Sequence, residues 1–240
     1  MKHPFQVKAQ HGGADGSAFT GLDFSVNTNP FGANPVLVAA ASAADLEHYP
    51  DPTYAGVKAS LGAFHHLEPA CIVLGVGASE LLHRIARAVI PPGGVVVSLL
   101  PAFGEFERAV RLERGHLVTA QPEDALRTLE RLEPCLVYSS RPNNPLGIAL
   151  SIKVLLEIAD WCAQRGALLV LDEAYAPFAP DLEPLPAHGC VIRLQSPGKV
   201  HGLVGLRLAY ALTAPRIARV LENLAPAWVL PASTDRKSVV

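Results

Sequence analysis

Short apolar runs separated by stretches with helical spacing constrain this chain more than any other feature of its sequence. The runs fall at residues 71–74, 95–99, 136–138, 168–171, 191–194 and 208–212. Most are continuous rather than alternating, as expected of strands buried on both faces. Between them, "SELLHRIARAVI" places Leu81, Leu82, Ile85, Ala86 and Val89 on one helical face. "KVLLEIADWCAQRG" does the same with Leu155, Ile158, Ala159 and Cys162, then stops at Gly166, a natural helix end. Strands alternating with helices predict an α/β fold with a mostly parallel central sheet flanked by helices. The region before about Phe31 is rich in Gly, Asn, Thr and Pro and reads as an arm.

The 240 residues suffice for one large domain with a sizeable core, alone or with part of another. Half are hydrophobic, 18% are charged and the formal net charge is −2. With no Lys/Arg cluster, nothing points to a nucleic-acid partner. The start, "MKHPFQVKAQHGG", lacks the apolar core of a signal peptide. The longest uncharged stretch, "AVIPPGGVVVSLLPAFG", carries Pro-Pro-Gly-Gly in its middle, which argues against a membrane span. Cys71, Cys135, Cys162 and Cys190 are far apart with no metal-ligand spacing, so no metal is expected. They read as reduced, buried thiols of a cytoplasmic protein.

Parallel sheets bind ligands at the carboxyl ends of their strands, and polar residues recur there. "GVGASE" (75–80) follows the first run, "SSRPNNPLG" the third, "DEAY" the fourth and "QSPGK" the fifth. "GVGASE" turns tightly and presents the Ala78 and Ser79 N–H groups at a helix N-terminus, a phosphate cup. Glu80 stands where the third glycine of a dinucleotide fingerprint belongs. Asp172 comes directly after four aliphatic residues, and a buried carboxylate needs a cation or good donors. Lys199, in "SPGKVHGLVGLRLAYAL", is either a solvated loop lysine or an amine held in a site, where burial can make it nucleophilic. Ordinary readings stand beside the others too. Ser79 can cap its helix, Asp172 a turn, Asn144 can serve an Asn-Pro turn, and Phe103 in "PAFGEFERA" can pack in the core.

Taken together, Lys199 with Arg207 eight residues later, "DEAY", "PNNPLG" and the glycine-rich cup resemble the fold-type I pyridoxal-phosphate enzymes. The resemblance runs from about His11 to Trp228 and is strongest to the branch holding threonine-phosphate decarboxylases and histidinol-phosphate aminotransferases. It implies a cofactor, pyridoxal 5'-phosphate. Lys199 matches the lysine that forms the Schiff base, and Asp172 the carboxylate pairing with the pyridine nitrogen, whose protonation makes the ring an electron sink. Asn144 and Tyr175 match the donors to the phenolic oxygen, and Phe103 the aromatic on the ring face. The phosphate falls to the Ala78 and Ser79 amides with Ser196 and Arg207. Tyr49, in "HYPDPTY", matches a tyrosine that reaches the phosphate of a partner subunit, which implies a homodimer. The family often has Ser or Thr where Gly198 stands, so one phosphate hydrogen bond is either missing or supplied by backbone.

The cofactor shell does not choose a reaction. "HGG" at 11–13 and "LDFSVNTNPFG" at 22–32 resemble the opening of threonine-phosphate decarboxylases, placing His11, Ser25 and Asn27 near the substrate. The expectation is therefore decarboxylation of L-threonine O-3-phosphate to (R)-1-amino-2-propanol O-2-phosphate in cobalamin biosynthesis. The alternative enzyme is a histidinol-phosphate-type aminotransferase, also acting on a small phosphorylated substrate. The non-enzyme alternative is a nucleotide-binding α/β domain with a structural Lys199. The expected layout is an arm at 1–30, a cofactor-binding large domain at 31–213, and the start of a truncated C-terminal small domain at 214–234. Residues 235–240, "DRKSVV", do not match the family and read as a non-native tail. Such a fragment is expected to leave apolar surface near residues 224–230 uncovered, to keep most of the cofactor shell, and to have little or no decarboxylase activity.

Overall fold

The computed structural model describes residue 12 and residues 21–235. A seven-stranded sheet organises the chain: β1 (Ile72–Val76), β2 (Val95–Leu99), β3 (His116–Ala120), β4 (Leu136–Ser140), β5 (Leu168–Asp172), β6 (Val191–Gln195) and β7 (Leu208–Leu212). Its spatial order is β1-β7-β6-β5-β4-β2-β3. The pairs among β2 to β6 are parallel, whereas β7 runs antiparallel to both β6 and β1. The mostly parallel sheet read from the apolar runs is thus present. Each run that the sequence marks corresponds to a strand.

β3 is the strand that the apolar runs miss. It sits at the sheet edge, its burial is only partial, and His116 and Thr119 break its hydrophobic pattern. An edge strand pairs on one side and so needs no continuous apolar run.

Helices cover both faces. On one, α3 (Gly77–Val89), α4 (Gly104–Leu112) and α8 (Pro215–Asn223) pack over Val73, Val96, Leu136, Tyr138, Val170 and Ile192. On the other, α5 (Ala125–Leu132) and α6 (Ile152–Arg165) cover Val97, Leu99, Val137, Leu169 and Leu171. Odd and even positions of one strand therefore feed two separate cores, which explains the continuous apolar runs. Leu81, Leu82, Ile85 and Ala86 of α3 are fully buried, as are Leu155, Ile158, Ala159 and Cys162 of α6. α6 ends where Gly166 adopts φ 69, a left-handed conformation that glycine takes without steric cost.

A third cluster lies beneath α2 (Ala55–His65), where Tyr54, Val57 and Leu61 meet Ile72, Leu74, Leu208, Tyr210 and Leu230. The 224–230 segment divides between surface and core. Leu224 and Trp228 stay partly exposed, but Leu230 is buried, its backbone bonded to the Tyr54 hydroxyl in both directions. α1 (Pro35–Ser42) is capped by the Asn34 side chain and buries none of its residues. Cys162 and Cys190 are buried, Cys71 and Cys135 only partly, and all four thiols are free. Among the described residues, no helix is long and apolar enough to cross a membrane.

His65, at the end of α2, places Nε2 2.9 Å from the Tyr210 hydroxyl. Burial, aided by Arg193 and His66, lowers its pKa to about 4 from 6.5. Between those values the unfolded chain binds a proton that the folded chain excludes, so stability falls as pH drops through that window. Replacing His65 with Gln is expected to flatten this part of the stability profile, read from urea midpoints at stepped pH. An unaltered slope would assign the acid sensitivity elsewhere.

Candidate active site

The carboxyl ends of the central strands open into a cavity of about 490 Å³. Ala78, Ser79, Phe103, Asn144, Asp172, Tyr175, Ser196, Lys199 and Arg207 all line it, together with Ser25 and Asn27 from the arm. Residues drawn from most of the chain's length thus converge on one rim. Tyr49 does not join them; it is 78% exposed and stacks on Trp228 at 4.5 Å. His11 lies outside the described residues, though its neighbour Gly12 reaches the cavity wall.

Asp172 is the last residue of β5, and its carboxylate is buried. Oδ1 accepts the Ala174 N–H at 3.0 Å and Oδ2 accepts the Tyr138 hydroxyl at 3.1 Å. Burial pushes its carboxyl above the usual carboxylate range, while these two bonds and the Lys199 charge pull it back. The turn-capping and buried-carboxylate readings of Asp172 therefore both hold. Its neighbour Glu173 is also buried but engages Arg193 at 2.9 Å and Gln195, a pairing that ties β5 to β6.

Lys199 belongs to the single-turn helix α7 (Pro197–Val200). Its Nζ donates to the Tyr175 hydroxyl at 3.0 Å and lies 4.5 Å from the centre of that ring. The same hydroxyl accepts a bond from Asn27 Nδ2 at 3.0 Å. The lysine is thus held against a cavity wall rather than released into solvent. "PNNPLG" splits by role: Asn143 is buried and binds the Pro101 carbonyl and the Ser140 hydroxyl, while Asn144 faces the cavity.

The glycine-rich turn starts α3 at Gly77, so Ala78 and Ser79 occupy its first turn with their N–H groups unused within the helix. Val76, not Ser79, is the N-cap, and Ser79 lines the cavity. Gly77 has φ +81, and a Cβ there would collide with the Arg207 guanidinium. Arg207 itself has φ 58, a left-handed conformation costing roughly 1 kcal/mol or more in a non-glycine residue. A cation beside an open helix N-terminus makes an anion cradle. Gly198 has a steric reason: a Cβ would lie 2.9 Å from the Leu203 carbonyl oxygen, so Ser or Thr requires that loop to move.

Tyr138 is the functional candidate that sequence reasoning leaves among the core residues. Its position in an apolar run marks only a strand, whereas the fold aims its hydroxyl at Asp172. Phe103 does two jobs, lining the cavity and packing against the α3–α4 core.

A buried acid, a lysine amine and an anion cradle around one cavity agree with the family model that residues 20–238 match, aminotransferase class I and II. The chain belongs to this family. It is 30% identical over 235 residues to a histidinol-phosphate aminotransferase of Dinoroseobacter shibae, covering 91% of this chain and 64% of that protein. For the Ruegeria pomeroyi protein of the same name, identity is 32%, with coverage of 85% and 59%. The chain thus spans less than two thirds of the length of these curated relatives. Among solved structures, the Sinorhizobium meliloti histidinol-phosphate aminotransferase, in complex with pyridoxal 5'-phosphate, superposes with a TM-score of 0.80 at 29% identity. That match covers 89% of this chain and 61% of the other.

An L-threonine-O-3-phosphate decarboxylase from Porphyromonas gingivalis aligns at TM-score 0.76 and 19% identity, covering 89% and 69%. Likeness at that level speaks for the fold alone. The sequence relatives therefore favour the aminotransferase alternative over the decarboxylase expected from the arm.

Gly77→Ala is expected to push the Arg207 guanidinium out of the cradle. Affinity for a phosphate-bearing ligand should fall about tenfold or more, the scale of one charge-assisted bond. Titration with pyridoxal 5'-phosphate, followed by absorbance, measures this; unchanged affinity would separate Gly77 and Arg207 from anion binding.

Proposed function

We propose that the cavity holds pyridoxal 5'-phosphate and that the protein is an aminotransferase acting on a small phosphorylated amine of the histidinol-phosphate type. The convergence of Lys199, Asp172 and the Gly77–Arg207 cradle on one cavity carries the cofactor reading, and the 30–32% identity to histidinol-phosphate aminotransferases supports the reaction. When bound, the cofactor supplies an aldehyde that captures amines and a ring that withdraws electrons from the substrate's Cα.

This chain's residues fit that group. Lys199 offers the amine that holds it covalently and carries protons at Cα, with Tyr175 orienting Nζ. Asp172 keeps a proton on the ring nitrogen. Asn144 and Tyr175 serve the phenolic oxygen, Phe103 covers a ring face and excludes water, and Ala78, Ser79, Ser196 and Arg207 take the phosphate. Ser25 and Asn27 lie on the side left for substrate, with His11 assigned there by its sequence alone. A purely structural Lys199 fits poorly with an amine bonded to a tyrosine at the cavity wall.

The proposed assembly is a homodimer, with the exposed Tyr49 directed to the phosphate of a second copy. The proposed layout keeps the large domain at 31–213 and the small-domain start at 214–234. α8, within the latter, packs Ile217, Ala218 and Leu221 into the α3 core.

Decarboxylation of threonine phosphate is the second reading, favoured by "HGG" and by the arm's Gly12, Ser25 and Asn27 lining the cavity. Amino transfer from histidinol phosphate to 2-oxoglutarate, read as glutamate, is the expected activity. Carbon dioxide release from threonine phosphate without amino transfer would replace it with the second reading. Lys199→Ala is expected to lower turnover by roughly 10²- to 10⁴-fold or more while cofactor stays weakly bound through its phosphate. Full activity in that variant would end the assignment of Lys199.

A further inference from the structure

We propose that Tyr138 is a positioning residue that aims the Asp172 carboxylate and holds it in its anionic form for the cofactor's ring nitrogen. This rests on the cofactor reading above and extends it to a residue outside the assigned shell.

Tyr138 is fully buried yet borders the cavity, and its hydroxyl reaches Asp172 Oδ2 at 3.1 Å. Its environment leaves little choice of orientation. The ring stacks on Phe106 of α4, with centroids 4.2 Å apart and planes 17° from parallel. The Phe103 backbone makes a further hydrogen bond to Tyr138. A phenol that accepts from a backbone N–H turns its one proton toward the remaining acceptor, which is Oδ2.

Oδ2 has two lone-pair sites, so the tyrosine takes one and leaves one for a ring N–H. Ala174 fixes Oδ1 in the same way. The carboxylate is therefore held from both oxygens, and the start of α4 holds the tyrosine. Burial alone drives Asp172 toward its protonated form, and each donor favours the anion. Removing the Tyr138 donor tips the shared proton from the ring nitrogen toward the carboxylate. Burial and the adjacent Asp172 charge in turn keep the phenol itself protonated, as a donor requires.

The test compares the full 240-residue chain with Tyr138→Phe, which keeps the ring and its stack. Both are loaded with pyridoxal 5'-phosphate labelled with ¹⁵N in the ring. The expected result is a shift of the ring-nitrogen resonance toward the neutral position, with affinity about tenfold weaker. A purely structural role leaves that resonance in place, so an unchanged resonance overturns the proposal. Phe106→Leu, which keeps the hydroxyl but loosens its ring, is expected to shift the resonance the same way by less. If Tyr138→Phe does not fold, no shift in Phe106→Leu overturns the proposal instead. Failure of the unsubstituted chain to give a Lys199-dependent cofactor absorbance overturns the cofactor reading and this proposal together. A Lys199-dependent band with an unmoved resonance overturns this proposal alone.

Discussion

A carboxylate buried at the end of a central strand sets the terms for this structure. Asp172 carries its charge into a region where desolvation opposes ionisation, so the surrounding elements must supply donors and a cation. They do so from separate parts of the chain: Tyr138 from the neighbouring strand, Ala174 from the following turn, and Lys199 from across the next crossover. Parallel pairing of β4, β5 and β6 brings those contributions to one rim. The order of the strands is thus a condition for tolerating the acid.

The second constraint is the anion cradle at the same cavity. α3 starts at the end of β1, and β1 lies at one edge of the sheet beside the antiparallel β7. Because β7 begins directly after Arg207, that pairing lays the guanidinium over Gly77. Glycine at 77 and a left-handed arginine at 207 are two sides of one close approach. The acid ends β5, while the cradle residues flank the end of β1 and the start of β7, so one sheet sets their separation.

Tyr175 joins these walls to the arm. Its hydroxyl accepts from Lys199 and from Asn27, which stand at distant places in the sequence. Residues 21–34 form no regular element, yet Asn29 bonds the Val200 carbonyl and the Asn34 N–H bonds His201. The arm is therefore tied to the segment that carries Lys199, and Ser25 and Asn27 reach the cavity as a consequence.

The sequence by itself determined the fold class, the faces of α3 and α6, and most of the polar residues that meet at the cavity. Those features are local: apolar continuity follows from burial on both faces, and polar residues at strand ends stand out against it. Tertiary structure alone decided the rest. β3 carries no continuous apolar run because an edge strand needs none. Asn143 and Asn144 are identical in type, and only the fold turns one into the loop and the other into the cavity. Gly198 departs from the family pattern for a reason visible only when the Leu203 carbonyl lies against it. Tyr138 reads as one more buried aromatic until parallel pairing sets it opposite Asp172's strand. Hydrogen bonds between residues far apart in the chain have no local signature, so only the packed sheet shows which buried polar groups meet.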